Sequence, residues 1–194
     1  VTFCARSNNF LFFLMHPIVR RKFVNHHNNI YLSTKITKSS LTIWKTLTSI
    51  RISSCVLVIE DSSFSQCQFL RSISVDSDNM HFASRDDILF TKNFDKLICF
   101  PSKHQFSTYK IPKSVTSIAN SAFSRCSHLK SIDVESENLN YVSKYGILFT
   151  NNFEVLIRFP SNHRFTTYTI PTSVTSIGNS AFSDCYNLRS ITIP

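Results

Sequence analysis

Six cysteines, seven histidines and two pairs of carboxylates are among the side chains of this 194-residue sequence whose types could do chemistry, and three of the cysteines and two of the histidines recur at a fixed interval. Cys67, Cys126 and Cys185 recur every 59 residues, and His104 and His163 are separated by the same interval. A zinc-type centre draws ligands from close spacings such as Cys-x2-Cys, and no such spacing occurs here. The adjacent His26-His27 pair cannot readily chelate one ion. Nucleophilic catalysis needs a nucleophile, a base and an orienting group in register. The Ser, His and Asp residues instead fall at repeat positions or in turns. A Gly-x-Ser-x-Gly elbow is impossible with Gly146 and Gly178 as the only glycines. Those two lie 32 positions apart, which also excludes a glycine-rich phosphate loop, and with it a P-loop NTPase, a dinucleotide-binding Rossmann domain and a protein kinase. Glu135 and Glu137 match Asp76 and Asp78 one repeat earlier, so a turn or solvated edge explains them better than a catalytic dyad. The expectation is a chain with no catalytic, cofactor-binding or metal-binding residues. The recurring cysteines read as small buried thiols filling one core slot per repeat, and His104 and His163, each in Pro-Ser-x-His, as structural.

The elements that carry these residues follow from the repeat itself. Residues 115–173 repeat residues 56–114 without a gap, with 31 identities in 59 aligned positions, and a third copy starts at Val174. Leu47-Thr-Ser-Ile50-Arg-Ile52 has the same form as Leu188-Arg-Ser-Ile191-Thr-Ile193. Leu47 to Leu70, Phe106 to Leu129 and Phe165 to Leu188 are each 23 residues apart, so the basic coil is 23 residues and 36 residues are inserted between coils. A period of 20–29 residues with Leu or Ile at fixed offsets is a leucine-rich repeat signature.

Within a coil, Val174 to Ile177 reads as a short extended segment, and Gly178-Asn179 as a turn. Ala181, Phe182 and Cys185 then suit a single inward-facing helical turn. Leu188, Ile191 and Ile193 predict a strand with one apolar face, and Pro112 and Pro171 end pairing because they lack an N–H. The insert holds Ile88-Leu89-Phe90-Thr91 and Lys96 to Phe100 around a four-residue polar turn, repeated at 147–159, which predicts a hairpin that projects from or widens the solenoid. The fold class is therefore an α+β repeat: a solenoid of 23-residue coils with 36-residue β-hairpin inserts, parallel strands on one face and short helical turns.

Charge divides the chain. The net charge is +9, yet residues 1–46 hold seven of the 21 basic side chains and no carboxylate, which leaves 14 basic and 12 acidic side chains, or +2, for residues 47–194. A basic segment can bind nucleic acid or an anionic membrane surface. Without a nucleic-acid module in it, the reading is a poorly ordered, solvated segment and no nucleic-acid partner. The apolar run Phe10 to Met15 is too short, and too early relative to Arg20, Arg21 and Lys22, to predict a secretory leader. No run of 18 apolar residues predicts a membrane-spanning helix. The organisation expected is 1–46 as a non-repeat basic segment and 47–194 as the repeat domain, with super-repeats from 56, 115 and 174, the last truncated.

The pattern Ile170-Pro-x-Ser-Val-Thr-Ser-Ile-Gly-x-x-Ala-Phe-x-x-Cys-x-x-Leu-x-Ser-Ile-x-Ile-Pro194 resembles the BspA-type leucine-rich repeat, the treponemal-antigen class found in bacterial and protist surface proteins. The insert resembles that family's extended unit, whose Asp-Gly-x-Leu-Phe turn stands here as Asp86-Asp87-Ile88-Leu89-Phe90 and Tyr145-Gly146-Ile147-Leu148-Phe149. The first unit departs from the pattern, with Ser53-Ser54-Cys55 in place of Pro-x-Ser and Glu60 in place of Gly. The resemblance implies a cell-surface or extracellular adhesion module that binds matrix, host or neighbouring-cell proteins and brings no catalytic residues. An intracellular, cytoplasmic scaffold on the same solenoid is the alternative.

In the strand Leu-x-Ser-Ile-x-Ile the residues between the apolar ones point outward. They are Ser72 and Ser74, Ser131 and Asp133, and Ser190 and Thr192, flanked by Arg71, Lys130 and Arg189. This column of basic and hydroxyl side chains is the candidate ligand face.

Overall fold

A computed structural model of the chain describes residues 34–37 and 46–194. Cys4, His26-His27 and most of the basic segment therefore lie outside the described residues. The described strands are β1 (Lys35–Ile36), β2 (Ser49–Ile52), β3 (Val58–Ile59), β4 (Ser72–Val75), β5 (Phe82–Arg85), β6 (Ile88–Thr91), β7 (Lys96–Cys99) and β8 (Thr108–Ile111). They continue through β9 (Ser117–Ile118), β10 (Ser131–Val134), β11 (Tyr141–Lys144), β12 (Ile147–Thr150), β13 (Val155–Arg158), β14 (Thr167–Thr169), β15 (Ser176–Ile177) and β16 (Ser190–Thr192).

The chain winds as a β-solenoid with two sets of strands. On the front, β2 pairs with β4, β8 with β10 and β14 with β16, all parallel, and the registers Ser49↔Ser72, Ser131↔Thr108 and Thr167↔Ser190 each span the 23-residue period. The second set comprises the parallel pairs β1–β3, β7–β9 and β13–β15. Lys35 pairs with Val58 at the 23-residue offset, so repeat pairing already occurs upstream of residue 47. Ile73 and Ile132 turn inward and are fully buried, while Ser74 and Asp133 face out, as a two-residue period requires. Two of the three front pairs end at Ile111 and Ile170, each followed by proline, while the first ends at Ile52 before Ser53.

The inserted residues are core rather than a projection. β5, β6 and β7 form an antiparallel meander, repeated as β11, β12 and β13, whose last strand joins the second strand set. Ile147, Leu148 and Phe149 are all fully buried, as are Leu89 and Leu97. A strand covered on both faces loses the alternation of polar and apolar residues, and this explains the continuous Ile-Leu-Phe run. The hairpin thus widens one coil in each repeat.

The predicted helical turn does not form, and no helix occurs among the described residues. The segment between Ala119 and Cys126 instead makes separate four-residue turns, with Ala122 N–H donating to Ala119 O (2.9 Å) and Ser124 N–H to Ser121 O (3.0 Å). Arg125 (φ 58°), Ser180 (φ 58°) and Asp184 (φ 61°) are left-handed, which interrupts any right-handed run. The α+β description is corrected to an all-β solenoid. The inward spacing of Ala122, Phe123 and Cys126 is real, but it belongs to consecutive tight turns.

Two asparagines tie the coil corners together. Asn138 Nδ2 donates to Pro112 O and Val115 O, both at 2.9 Å, while its Oδ1 accepts from the N–H groups of Asn140 (2.8 Å) and Tyr141 (2.9 Å). Asn79 repeats the arrangement with Ser53 O, Val56 O, His81 N–H and Phe82 N–H. Both are buried, and each amide has all its polar positions used. The cysteines are core-filling thiols. Cys67 and Cys126 are buried, Cys185 is half-buried, and the thiols of Cys126 and Cys185 donate to Phe100 O (3.6 Å) and Phe159 O (3.5 Å). Burial pushes Cys67 up to about 11 and Cys126 to about 12.

Asn138→Ala is expected to destabilise the protein by roughly 2–4 kcal/mol, because it orphans the buried Val115 carbonyl, the part-buried Pro112 carbonyl and two N–H groups. Asn138→Asp should cost at least as much, since a carboxylate oxygen would then face both carbonyls. Urea unfolding of the full chain measures both. At pH 8 the raised values keep Cys67 and Cys126 as unreactive thiols. Among the described cysteines, half-buried Cys55 should therefore label first with a thiol reagent, and Cys67, Cys99 and Cys126 only on unfolding, as peptide mapping would read out.

Candidate functional site

The predicted ligand-face residues lie where the strand period places them, but not in one unbroken column. Ser72 and Ser74 are on β4, Ser131 and Asp133 on β10, and Ser190 and Thr192 on β16, and a widened coil separates one front pair from the next. All except Ser72 and Ser131, which are half-buried, are exposed. The structure gathers four of the nine, Lys130, Ser131, Asp133 and Arg189, on one groove of about 940 Å³. That is the upper end of the ~300–1,000 Å³ typical of ligand pockets. Arg71, Ser72, Ser74, Ser190 and Thr192 lie outside it.

The groove exists because the β11–β12 hairpin folds its tip against β10. The tip has two residues, Tyr145 (φ 57°) and Gly146 (φ 79°), both left-handed, which is the tight turn whose twist matches the flanking strands. Gly146 O accepts the N–H of Ile132 at 2.9 Å, so the tip caps the free edge of β10. A Cβ on Gly146 would lie 2.4 Å from Ser131 Oγ, so a larger residue here requires that serine to shift.

His163 fastens the tip from behind. It is 3% exposed, its Nε2 donates to Tyr145 O (2.8 Å), and its Nδ1 accepts the N–H of Phe165 (3.2 Å). Accepting at Nδ1 and donating at Nε2 fixes the neutral tautomer. His104 does the same with Asp86 O (2.7 Å) and Phe106 N–H (3.1 Å). Both histidines therefore hold a hairpin tip in place: His163 also lines the groove, while His104 fastens the tip of the preceding copy.

The far wall comes from the segments around Arg164 and Tyr186. The groove thus carries three cations, Lys130, Arg164 and Arg189, and one carboxylate, Asp133, which accepts from Ser131 Oγ (3.2 Å). Among the described residues, none of the three cations pairs with a carboxylate. Tyr145 is 64% and Tyr186 83% exposed. Asn187 Nδ2 donates to Asn162 Oδ1 at 2.9 Å. Tyr145, Asn162, Arg164, Tyr186 and Asn187 were not among the residues expected from the strand pattern. Their one sequence signal is departure from the preceding copy, which has Asp86, Lys103, Gln105, Ser127 and His128 at these positions.

The paired carboxylates are structural. Glu135 accepts the N–H of Lys113 (2.7 Å), and Glu137 pairs with Lys113 Nζ (2.5 Å). One repeat earlier Asp76 pairs with Arg51 (2.5 Å). Among the described residues no three His, Cys, Asp or Glu side chains are grouped to hold a metal ion. No described helix is long and apolar enough to cross a membrane.

The family model for the BspA type leucine rich repeat region matches six copies over residues 23–86, 96–163 and 157–194. No curated protein matches the sequence. Among solved structures, a leucine-rich repeat protein from Eubacterium ventriosum ATCC 27560 is 22% identical with a TM-score of 0.53, over 76% of this chain and 36% of that one. The pneumococcal vaccine antigen PcpA is 20% identical with a TM-score of 0.49, over 76% of this chain and 34% of that one. A leucine rich cell surface protein from Faecalibacterium prausnitzii A2-165 is 25% identical with a TM-score of 0.42, over 76% and 48%. The chain spans a third to a half of the solved chains it matches. The first of these likenesses establishes the shared solenoid fold. With its repeats matched over most of its length, the chain belongs to the BspA-type leucine-rich repeat family.

Proposed function

We propose that this chain is a non-catalytic binding and adhesion module of a cell-surface leucine-rich repeat protein, with 47–194 as the binding unit. Its partner is a protein of the extracellular matrix, of a host or of a neighbouring cell. The observation that carries this reading is the outward row of Arg71, Ser72 and Ser74, then Lys130, Ser131 and Asp133, then Arg189, Ser190 and Thr192, the first two sets on strands whose inward residues Ile73 and Ile132 are packed core. A solenoid holds such rows on a stiff frame, which suits shape-complementary contact and lowers the ordering cost of binding. Membership of the family supports it. The absence of catalytic work is supported by the structural engagement of the recurrent His, Cys and carboxylate side chains. A second reading, an intracellular scaffold, is favoured by one observation: the five cysteines of the described residues are free thiols, as a reducing compartment would keep them.

Protease treatment of intact cells decides between the two. Release of peptides from 47–194 without lysis is the expected result, followed by saturable binding of the purified chain to immobilised matrix or cell-surface proteins. Peptides protected until lysis would overturn the surface reading. Release with no binding across the panel would overturn adhesion. Alanine at both Lys130 and Arg189 should weaken binding at least tenfold, about 1.4 kcal/mol, and leave the unfolding transition unchanged.

A further inference from the structure

We infer that the groove between β10, the Tyr145-Gly146 tip and the Arg164 and Tyr186 segments is a binding site for a sulfated oligosaccharide. This deepens the proposed ligand-face reading and rests on it, since the groove occupies part of that face.

Charge gives the first reason. Lys130, Arg164 and Arg189 meet one carboxylate, Asp133, and no intramolecular ion pair among the described residues uses up the three cations. An anionic ligand gains Coulomb energy here without first breaking a salt bridge. An arginine fork can donate to two oxygens of one sulfate or carboxylate at once.

The polar pair gives the second. With Asn187 Nδ2 bonded to Asn162 Oδ1, Asn162 Nδ2 and Asn187 Oδ1 are left as a donor and an acceptor side by side, without partners among the described residues. Neighbouring hydroxyls on a sugar ring present the complementary acceptor and donor. Tyr145 and Tyr186 add two exposed rings, each with an apolar face for the C–H side of a sugar, and the Tyr186 hydroxyl donates to Asp184 Oδ1 (3.2 Å).

A peptide fits less well. Strand addition needs a free sheet edge, and the tip already takes the Ile132 N–H on the edge of β10. A side-chain anchor needs an apolar pocket, and the groove is lined mainly by Lys, Arg, Asn, Ser and Tyr.

The preceding repeat supplies an internal comparison. It keeps the framework: His104 fastens the tip, and Ile73 N–H donates to Asp87 O at 3.0 Å. Its tip, however, is Asp86-Asp87, and Gln105, Ser127 and His128 stand where the second copy has Arg164, Tyr186 and Asn187. Two carboxylates at the tip oppose an anion. The first copy also carries three cations, Arg71, Lys103 and Lys130, so what sets the second apart is the carboxylate-free tip, the aromatic faces and the amide pair.

The test uses the full chain and a fluorescent, fully sulfated heparin-type hexasaccharide, read by anisotropy. Arg164→Gln and Tyr186→Ser install the residues of the first copy, so the scaffold tolerates them and the unfolding midpoint should not move. Each is expected to weaken binding at least tenfold, and raised salt to weaken the wild type further. Equal binding of the desulfated hexasaccharide would overturn charge recognition. Unchanged binding by both variants would place the glycan elsewhere, including on the basic residues before 47, and overturn the site. A poly-glutamate peptide or single-stranded oligonucleotide that binds as tightly, with the same loss in both variants, would overturn the saccharide assignment. If the variants lose the glycan but still adhere to matrix protein, the groove assignment stands beside the adhesive face. If the wild type binds protein but no glycan, the inference falls and the proposed function survives.

Discussion

A buried amide at each of two coil corners, Asn79 and Asn138, is the constraint on which the winding there depends. Where a coil leaves the front strand, the backbone turns too sharply for any ladder to satisfy it, and the carbonyls of Pro112 and Val115 face inward. Asn138 satisfies those two and the next two N–H groups at once, and Asn79 repeats this one unit earlier. No other side chain offers two donors and an acceptor of that size without charge. Because the corner is fixed, β11 starts beside β10, the hairpin tip arrives at Ser131, and the groove has a floor.

The same logic governs what the core slots accept. The position of buried Cys99 becomes Arg158 in the next copy. Arg158 is 5% exposed and has no carboxylate bonded to it, and burial lowers its pKa. It is held by neutral oxygens: Nη1 donates to Ser180 O (2.5 Å), and Nη2 to Ser161 Oγ (2.9 Å) and Ser183 O (3.0 Å). Its Nε has no partner. Turn carbonyls that would otherwise face an apolar slot are thus satisfied by a guanidinium, at the cost of desolvating a charge. The frame is strict about backbone satisfaction and permissive about which side chain provides it.

Much of the fold was legible because a two-residue period leaves little freedom. Ile73 and Ile132 had to point in and Ser74 and Asp133 out, and the 23-residue spacing set the register of the front pairs. The turn through Phe123 was misread for a physical reason. An i, i+1, i+4 apolar spacing fits one helical turn and two tight turns equally, and the left-handed φ of Arg125 and Asp184 that separates them leaves no mark in residue type. The groove was half legible. Lys130, Ser131, Asp133 and Arg189 follow from the strand pattern. Tyr145 is brought to them by the hairpin tip and Arg164 and Tyr186 by later segments of the winding, and each is ordinary where it stands in the sequence. The copies differ at these positions, and that contrast carries the missing signal.

The two-residue tip and the histidine behind it have a genetic consequence. The residues that hold the tip are the same in both copies, while those on the rim differ. Unequal crossing-over between the two copies at any matched position keeps every later strand in phase, because the repeats align without a gap. Such exchange would shuffle rims among intact frames, so variation in recognition could accumulate by recombination as well as by point mutation, one groove at a time and without passing through a misfolded intermediate.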